Sequence, residues 1–263
     1  MRGITRDSFA EMIDRKIIFI FGSITLLVII GVLFTLNISI NGFGGNDMKL
    51  DDLNQALGNP MMVFFSWFMS FLVFLTVMAT AGILPNMLVK GRADYYLSKP
   101  ISRSSLLLNK LLGIWVSYGS MIVVCGLLTY SSIVLVHGGF QFKVIYIFIF
   151  SLLSYFCWLA VLFLTGVVSG SQPISIMSAF IVWVLYKVLS SAKMVQDIIS
   201  SQFVKTSIDV FYYIIPKNSE FFNISEKLVQ GKPVNNWSDF YTTIIISIIL
   251  IYGSAFLFKK KNY

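Results

Sequence analysis

Six long apolar stretches dominate the chain, and polar segments separate them. Each stretch approaches or exceeds the roughly 20 residues that a helix needs to cross about 30 Å of hydrocarbon. The apolar runs are continuous rather than alternating, which favours helices over the strands of a membrane barrel. The pattern therefore predicts an all-α, polytopic membrane protein with six transmembrane helices, at residues 17–36, 61–84, 107–136, 144–168, 174–190 and 241–258.

Lysine and arginine concentrate in alternate segments between these stretches. They cluster in residues 1–16, in the loop 85–106 and in the tail 259–263, whereas the segment 191–240 balances its acidic and basic residues. Because positively charged segments stay on the cytoplasmic side, both termini are expected in the cytoplasm and segment 191–240 outside. We expect a multi-pass protein of the cell (inner) membrane.

Composition supports this class. Of the 263 residues, 57% are hydrophobic and only 12% are charged, against about 25% charged in soluble domains. The net charge of +8 lies in short patches beside apolar stretches, which is typical of membrane topology and does not indicate a nucleic-acid partner. Cys125 and Cys157 fall inside apolar runs and are interpreted as buried, reduced side chains.

The six stretches contain no aspartate, glutamate or histidine. Ion-coupled carriers usually need such a group inside the membrane, so energy for uphill transport is expected from outside the chain. The chain also has no phosphate loop and no metalloprotease or serine-hydrolase motif, and we therefore expect no enzymatic activity. Lys110 and Lys187 lie near the ends of predicted spans and are expected to snorkel to an interface.

Residues 1–16 form a predicted amphipathic helix in the cytoplasmic interface. Its apolar positions are spaced as on one helix face, and its basic positions can meet lipid phosphates. Two interpretations stay open: a simple topological anchor, or a docking element for a cytoplasmic partner. The residues that carry the pattern are Arg6, Phe9, Met12, Ile13, Arg15, Lys16 and Ile17.

The basic loop 85–106 is patterned beyond a topology signal. Residues 87–97 favour a short interfacial helix, and Pro100 excludes helical geometry at Lys99. Ser102 is a suitable N-cap, so a new helix is expected to begin at Arg103 and to continue into the third span.

The run Tyr96-Leu-Ser-Lys-Pro-Ile-Ser-Arg103, followed by Leu106-Leu-Leu-Asn-Lys-Leu-Leu-Gly113, closely resembles a signature of type-2 ABC transporter permeases. The nearest subgroup is the permeases associated with multicopper-enzyme maturation, including nitrous-oxide-reductase maturation. The interfacial helix, the six spans and the long segment before the sixth span match in order. In that segment Tyr212-Tyr-Ile-Ile-Pro216 and Phe221-Phe-Asn-Ile-Ser225 resemble the family's sequence.

The resemblance implies that two permease subunits, identical or related, form the translocation pathway. Cytoplasmic ABC ATPase subunits, which bind ATP and magnesium, would push on the interfacial helix and on the 85–106 loop; this chain itself would carry no cofactor. The residues expected in the ATPase-coupling region are Gly91, Tyr96, Lys99, Pro100 and Arg103. Contact of Lys99 and Arg103 with lipid phosphates is the alternative.

Two other functions remain open from the sequence: an ATP-independent channel or carrier, and a membrane scaffold or assembly factor without transport. Met61 and Met62 lie at the predicted outer end of the second span, where packing is favoured over a copper site. The sequence selects neither a substrate nor a direction of transport.

Overall fold

The structure is a computed structural model, and it describes residues 2–35, 60–88, 102–137, 140–194, 201–234 and 237–260. Within these ranges the fold is all-helical and has no strand. This confirms the predicted all-α class. Four of the predicted coupling residues, Gly91, Tyr96, Lys99 and Pro100, lie outside the described residues.

The helices follow the predicted apolar stretches to within a few residues. They are α1 (Arg2–Asp14), α2 (Ile17–Thr35), α3 (Pro60–Thr80), α4 (Ile83–Met87), α5 (Arg103–His137), α6 (Ile145–Ser169), α7 (Gln172–Met194), α8 (Gln202–Ile214), α9 (Glu220–Val229) and α10 (Ser238–Lys260), with a 3-10 turn at Phe142–Val144.

Helix α6 is the centre of the bundle, because α3, α5, α7, α9 and α10 all pack against it. Several of its small side chains, among them Ser151, Ser154 and Ala160, are fully buried. Helix α5 packs against α1, α2, α3 and α10 as well. Helix α7 lies at the edge and leaves most of its apolar surface exposed, as expected where lipid rather than water surrounds the bundle.

Among the described residues, five helical stretches are long and apolar enough to cross a membrane: Met62–Met87, Arg103–Val136, Phe142–Ser169, Gln172–Lys193 and Ser238–Lys260. A sixth is counted if α1 and α2 are taken together, and these two helices meet at an angle of 68°. The bend lies at Lys16, whose φ of 56° is left-handed. A bend there fits an interfacial helix followed by a short span.

The ends of α3 and α6 have local causes. Helix α3 ends at Thr80 and a separate α4 begins at Ile83, because Pro85 has no N–H to bond the carbonyl of Ala81. Between α6 and α7, Gly170 has a φ of +63° and its N–H donates to the Gly166 carbonyl at 2.9 Å. The left-handed C-cap explains how the chain reverses within a very short turn.

Several hydroxyl groups inside the apolar helices donate to carbonyls of their own helix. Thr76 donates to the Leu72 carbonyl at 2.7 Å, and Ser117 donates to the Gly113 carbonyl at 2.8 Å. In α10, Ser247 donates to the Thr243 carbonyl at 2.7 Å. Such bonds let polar residues lie in an apolar environment without leaving a donor unpaired.

Candidate functional site

The predicted interfacial helix α1 lies against the first turns of α5. Met12 and Ser8 of α1 are buried, at 4% and 1% exposure. Ile17, at the beginning of α2, is buried as well. The helix is therefore packed onto the bundle over part of its surface and does more than rest on a lipid interface.

A buried lysine joins the two helices. Lys110 of α5 is 2% exposed, and its Nζ lies 3.0 Å from Asp7 Oδ2 and 3.2 Å from Glu11 Oε2. Glu11 also accepts from Arg15 Nη2 at 2.7 Å. Asp7, Glu11 and Arg15 are four residues apart, so they lie on one face of α1. We call these four residues the α1–α5 ion cluster.

The Lys110 side chain is buried against α1 and does not extend into solvent. Two carboxylates approach its ammonium group from a neighbouring helix, and they compensate the charge where it is buried. Lys187, the other lysine near a predicted span end, is exposed.

The predicted apolar face of α1 is confirmed only in part. Met12 is buried and Phe9 is half-buried against the core, whereas Ile13 remains 56% exposed. The basic residues of the polar face differ in their surroundings as well. Arg6 and Lys16 are exposed, whereas Arg15 pairs with Glu11. The polar contacts with α5 come from the acidic side chains Asp7 and Glu11, to which the amphipathic pattern gave no role.

Arg103 is the first residue of α5 and is half-buried. The side-chain oxygen of Ser102 accepts from the N–H of Ser105 at 3.3 Å, which confirms the predicted cap and the predicted helix start. The predicted helix at 87–97 is described only to Leu88, and there Met87 ends α4. Arg103 thus begins the helix that carries Lys110 two turns later.

A second polar cluster joins the segment after α8 to the start of α10. Lys217 is fully buried, and its Nζ lies 2.6 Å from Asp239 Oδ1 and 3.9 Å from the centre of the Tyr212 ring. The Tyr212 hydroxyl donates to Asp239 Oδ2 at 3.2 Å. Burial lowers the pKa of Lys217 against the opposing effect of Asp239, and burial, with Asp239 nearby, raises the pKa of Tyr212.

Neighbouring side chains extend this second cluster to α7 and α9. Lys193 lies 3.6 Å from Asp209 and 4.1 Å from the Tyr212 ring centre, and Tyr186 of α7 donates to Glu220 of α9. These pairs were not predicted from the sequence, since their members lie far apart along the chain. Phe203, in α8, is exposed, and residues 195–200 lie outside the described residues.

The cysteine interpretation is confirmed, since Cys125 and Cys157 are buried and free of disulfides. Met62 is buried within the hydrophobic core, as packing requires. Across the described ranges, no group of three or more His, Cys, Asp or Glu side chains is placed to hold a metal ion.

The part of the chain that the structure describes is thus all-helical, with five helices long and apolar enough to cross a membrane, or six with the bent α1–α2 pair. Comparison with known protein-family models finds no match, and comparison with curated proteins finds none either. The function is therefore argued from the residues and their geometry.

Proposed function

We propose that the chain is the permease subunit of a type-2 ABC transporter, which forms the translocation pathway together with a second permease subunit, identical or related. In this proposal both termini are cytoplasmic, the chain lies in the cell (inner) membrane, and a separate ATPase supplies the work. The resemblance of residues 96–113 to the permease signature supports the proposal, and so does the absence of acidic residues and histidine from the six predicted spans.

The observation that carries the proposal most is the α1–α5 ion cluster. Lys110, Asp7 and Glu11 join the interfacial helix, which the resemblance assigns to ATPase contact, to α5. Helix α5 begins at Arg103, within the 85–106 loop that the resemblance also assigns to the ATPase. Helix α5 continues from Arg103 through 35 residues, or about 52 Å at 1.5 Å per residue. Because α5 is one continuous helix, a displacement at Arg103 or at α1 would be transmitted along its length through the bundle. This transmission requires no ion-binding site inside the membrane.

The two alternative functions predict different behaviour. An ATP-independent channel or carrier would conduct without any ATPase, and a scaffold would bind a partner without nucleotide-driven movement. We prefer the permease because of the sequence resemblance and because α1, the predicted interfacial helix, contacts α5.

The proposal is tested by purifying the tagged chain with its associated proteins and measuring ATP hydrolysis. We expect a phosphate-loop ATPase to co-purify with the unaltered chain. Arg103→Glu should reduce its recovery by about tenfold or more, because charge reversal replaces attraction by repulsion. Lys232→Glu, the same charge change at an exposed residue of the predicted external segment, is the matched control. Full ATPase recovery with Arg103→Glu and with Pro100→Ala would contradict the proposed coupling region.

A further inference from the structure

A groove of about 410 Å³ lies between α3, α6 and α7, and the segment before α9 also lines it. Its volume falls within the roughly 300–1,000 Å³ of small-molecule sites. Most of its wall is apolar, and aromatic side chains from all three helices contribute, including Trp67, Trp158 and Trp183. Trp67 is 72% exposed and Trp183 is 44% exposed, so the groove opens sideways, toward the space that lipid occupies.

One of the residues that line the groove, Asn218, has an unsatisfied polar side chain. The Asn218 side chain is 3% exposed, and neither its Nδ2 nor its Oδ1 has a hydrogen-bond partner among the described residues. Its backbone is fixed, since its carbonyl accepts from the buried hydroxyl of Ser154 at 3.4 Å. Buried amides without partners are rare in folded proteins, and such a group indicates a partner that is supplied from elsewhere.

The wall also limits the charge of that partner. None of the described residues that line the groove is charged, and the neighbouring Lys217 is already engaged by Asp239. An ionised ligand would lose its hydration without compensation. A carboxamide both donates and accepts, and a hydroxyl group can satisfy both functions at once.

We propose that this groove binds an uncharged, hydroxyl-bearing lipid, which enters from the membrane. Its hydroxyl group bonds the Asn218 carboxamide, and its acyl chain packs along the aromatic wall toward Trp67. The proposal holds whether or not the chain couples to an ATPase, because it depends only on the groove and on Asn218.

The experiment uses full-length protein in lipid nanodiscs and three photoreactive probes with the same diazirine-bearing acyl chain: a monoacylglycerol, the methyl ester of the fatty acid, and a phosphatidylcholine. Labelled peptides are located by mass spectrometry. We expect saturable labelling of α3 and α7 peptides by the monoacylglycerol, about fivefold stronger than by the methyl ester, as one net hydrogen bond implies. Labelling by phosphatidylcholine should not saturate.

Three variants sharpen the test. Asn218→Leu should lower monoacylglycerol labelling about fivefold to the methyl-ester level, and Ala179→Phe, which fills the groove, should lower labelling by both probes. Asn223→Leu removes an exposed asparagine of α9 and should change neither. The comparison of probes on the unaltered protein remains decisive even if Asn218→Leu does not fold.

Equal, unsaturable labelling by all three probes would overturn the inference, because the groove would then be an apolar face in contact with bulk lipid. Efficient disulfide formation between two copies of the Trp183→Cys variant, with loss of labelling on oxidation, would also overturn it. In that case a second copy of the chain covers the groove.

Discussion

The double substitution Asp7→Asn with Glu11→Gln tests whether the α1–α5 ion cluster holds α1 in place. Both changes preserve side-chain size and remove only the negative charges. Lys110, at 2% exposure, would lose both of the carboxylates that compensate its charge. Leaving a buried charge unpaired costs about 3–5 kcal/mol.

The low end of that range applies here. At 3.0 and 3.2 Å, each contact is worth about 5 kcal/mol of Coulomb energy at an effective dielectric constant near 20, and desolvation offsets most of it. Asp7 is 46% exposed and therefore screened by solvent, so Glu11, at 24% exposure, contributes the larger share. We expect a loss of about 3 kcal/mol, or roughly a 100-fold increase in the undocked fraction of α1.

Hydrogen–deuterium exchange measures this directly. Amide protection in α1 peptides should fall roughly 100-fold in the double variant, because α1 opens locally when its docking contacts are lost. Lys110→Met is the control: it removes the buried charge and leaves Glu11 paired with Arg15, so protection should change far less. Adding Lys110→Met to the double variant should restore much of the protection.

The amide protection of α1, compared among these variants, shows whether the carboxylates compensate the charge of Lys110. If the double variant loses no more protection than Lys110→Met alone, or if the triple variant shows no recovery, the carboxylates do not compensate Lys110. Apolar packing of Met12 would then account for the docking of α1.

The second polar cluster and one turn give further predictions. Asp239→Asn should lower stability by about 3 kcal/mol, since it leaves the buried Lys217 unpaired, and adding Lys217→Met should recover part of the loss, as measured by thermal unfolding in detergent. Because the pKa of Lys217 is lowered from its ordinary 10.5, the folded state releases this proton before the unfolded state does. The stability difference between the unaltered chain and Lys217→Met should therefore shift in favour of the unaltered chain as the pH rises toward 10.5, and a shift in the opposite direction would refute this. Gly170→Ala should cost about 1–2 kcal/mol in denaturant titration because of its left-handed φ, whereas Gly22→Ala, with open space around its Cβ position, should be neutral or stabilising.

Much of the fold follows from local sequence. Continuous apolar runs predicted the spanning helices to within a few residues, because a helix that satisfies its own backbone is the simplest solution in lipid. Ser102 and Pro100 predicted the start of α5, since capping and the restriction before proline act over a few residues. Pro85 and Gly170 likewise determine, through local backbone geometry, where α3 and α6 end.

The polar contacts between helices were not predictable in this way. Lys110 contacts Asp7 and Glu11, which lie about 100 positions earlier in the chain. A pattern within a few neighbouring residues cannot predict a contact between such distant positions. The charge of residues 1–16 indicated only a basic cytoplasmic segment and gave no partner for Asp7 or Glu11. Asn218 is likewise one polar residue in a loop by sequence, and only the packing of α3, α6 and α7 encloses its amide.

The central claim is that an ATPase acts on this chain at the beginning of α5. Its most direct test places a photoreactive amino acid at position 103 in living cells and identifies what becomes cross-linked. The account predicts a covalent product with a phosphate-loop ATPase, in a yield that changes when ATP is depleted. Cross-links to lipid alone, or labelling of position 103 by a membrane-impermeant reagent from outside the cell, would contradict it.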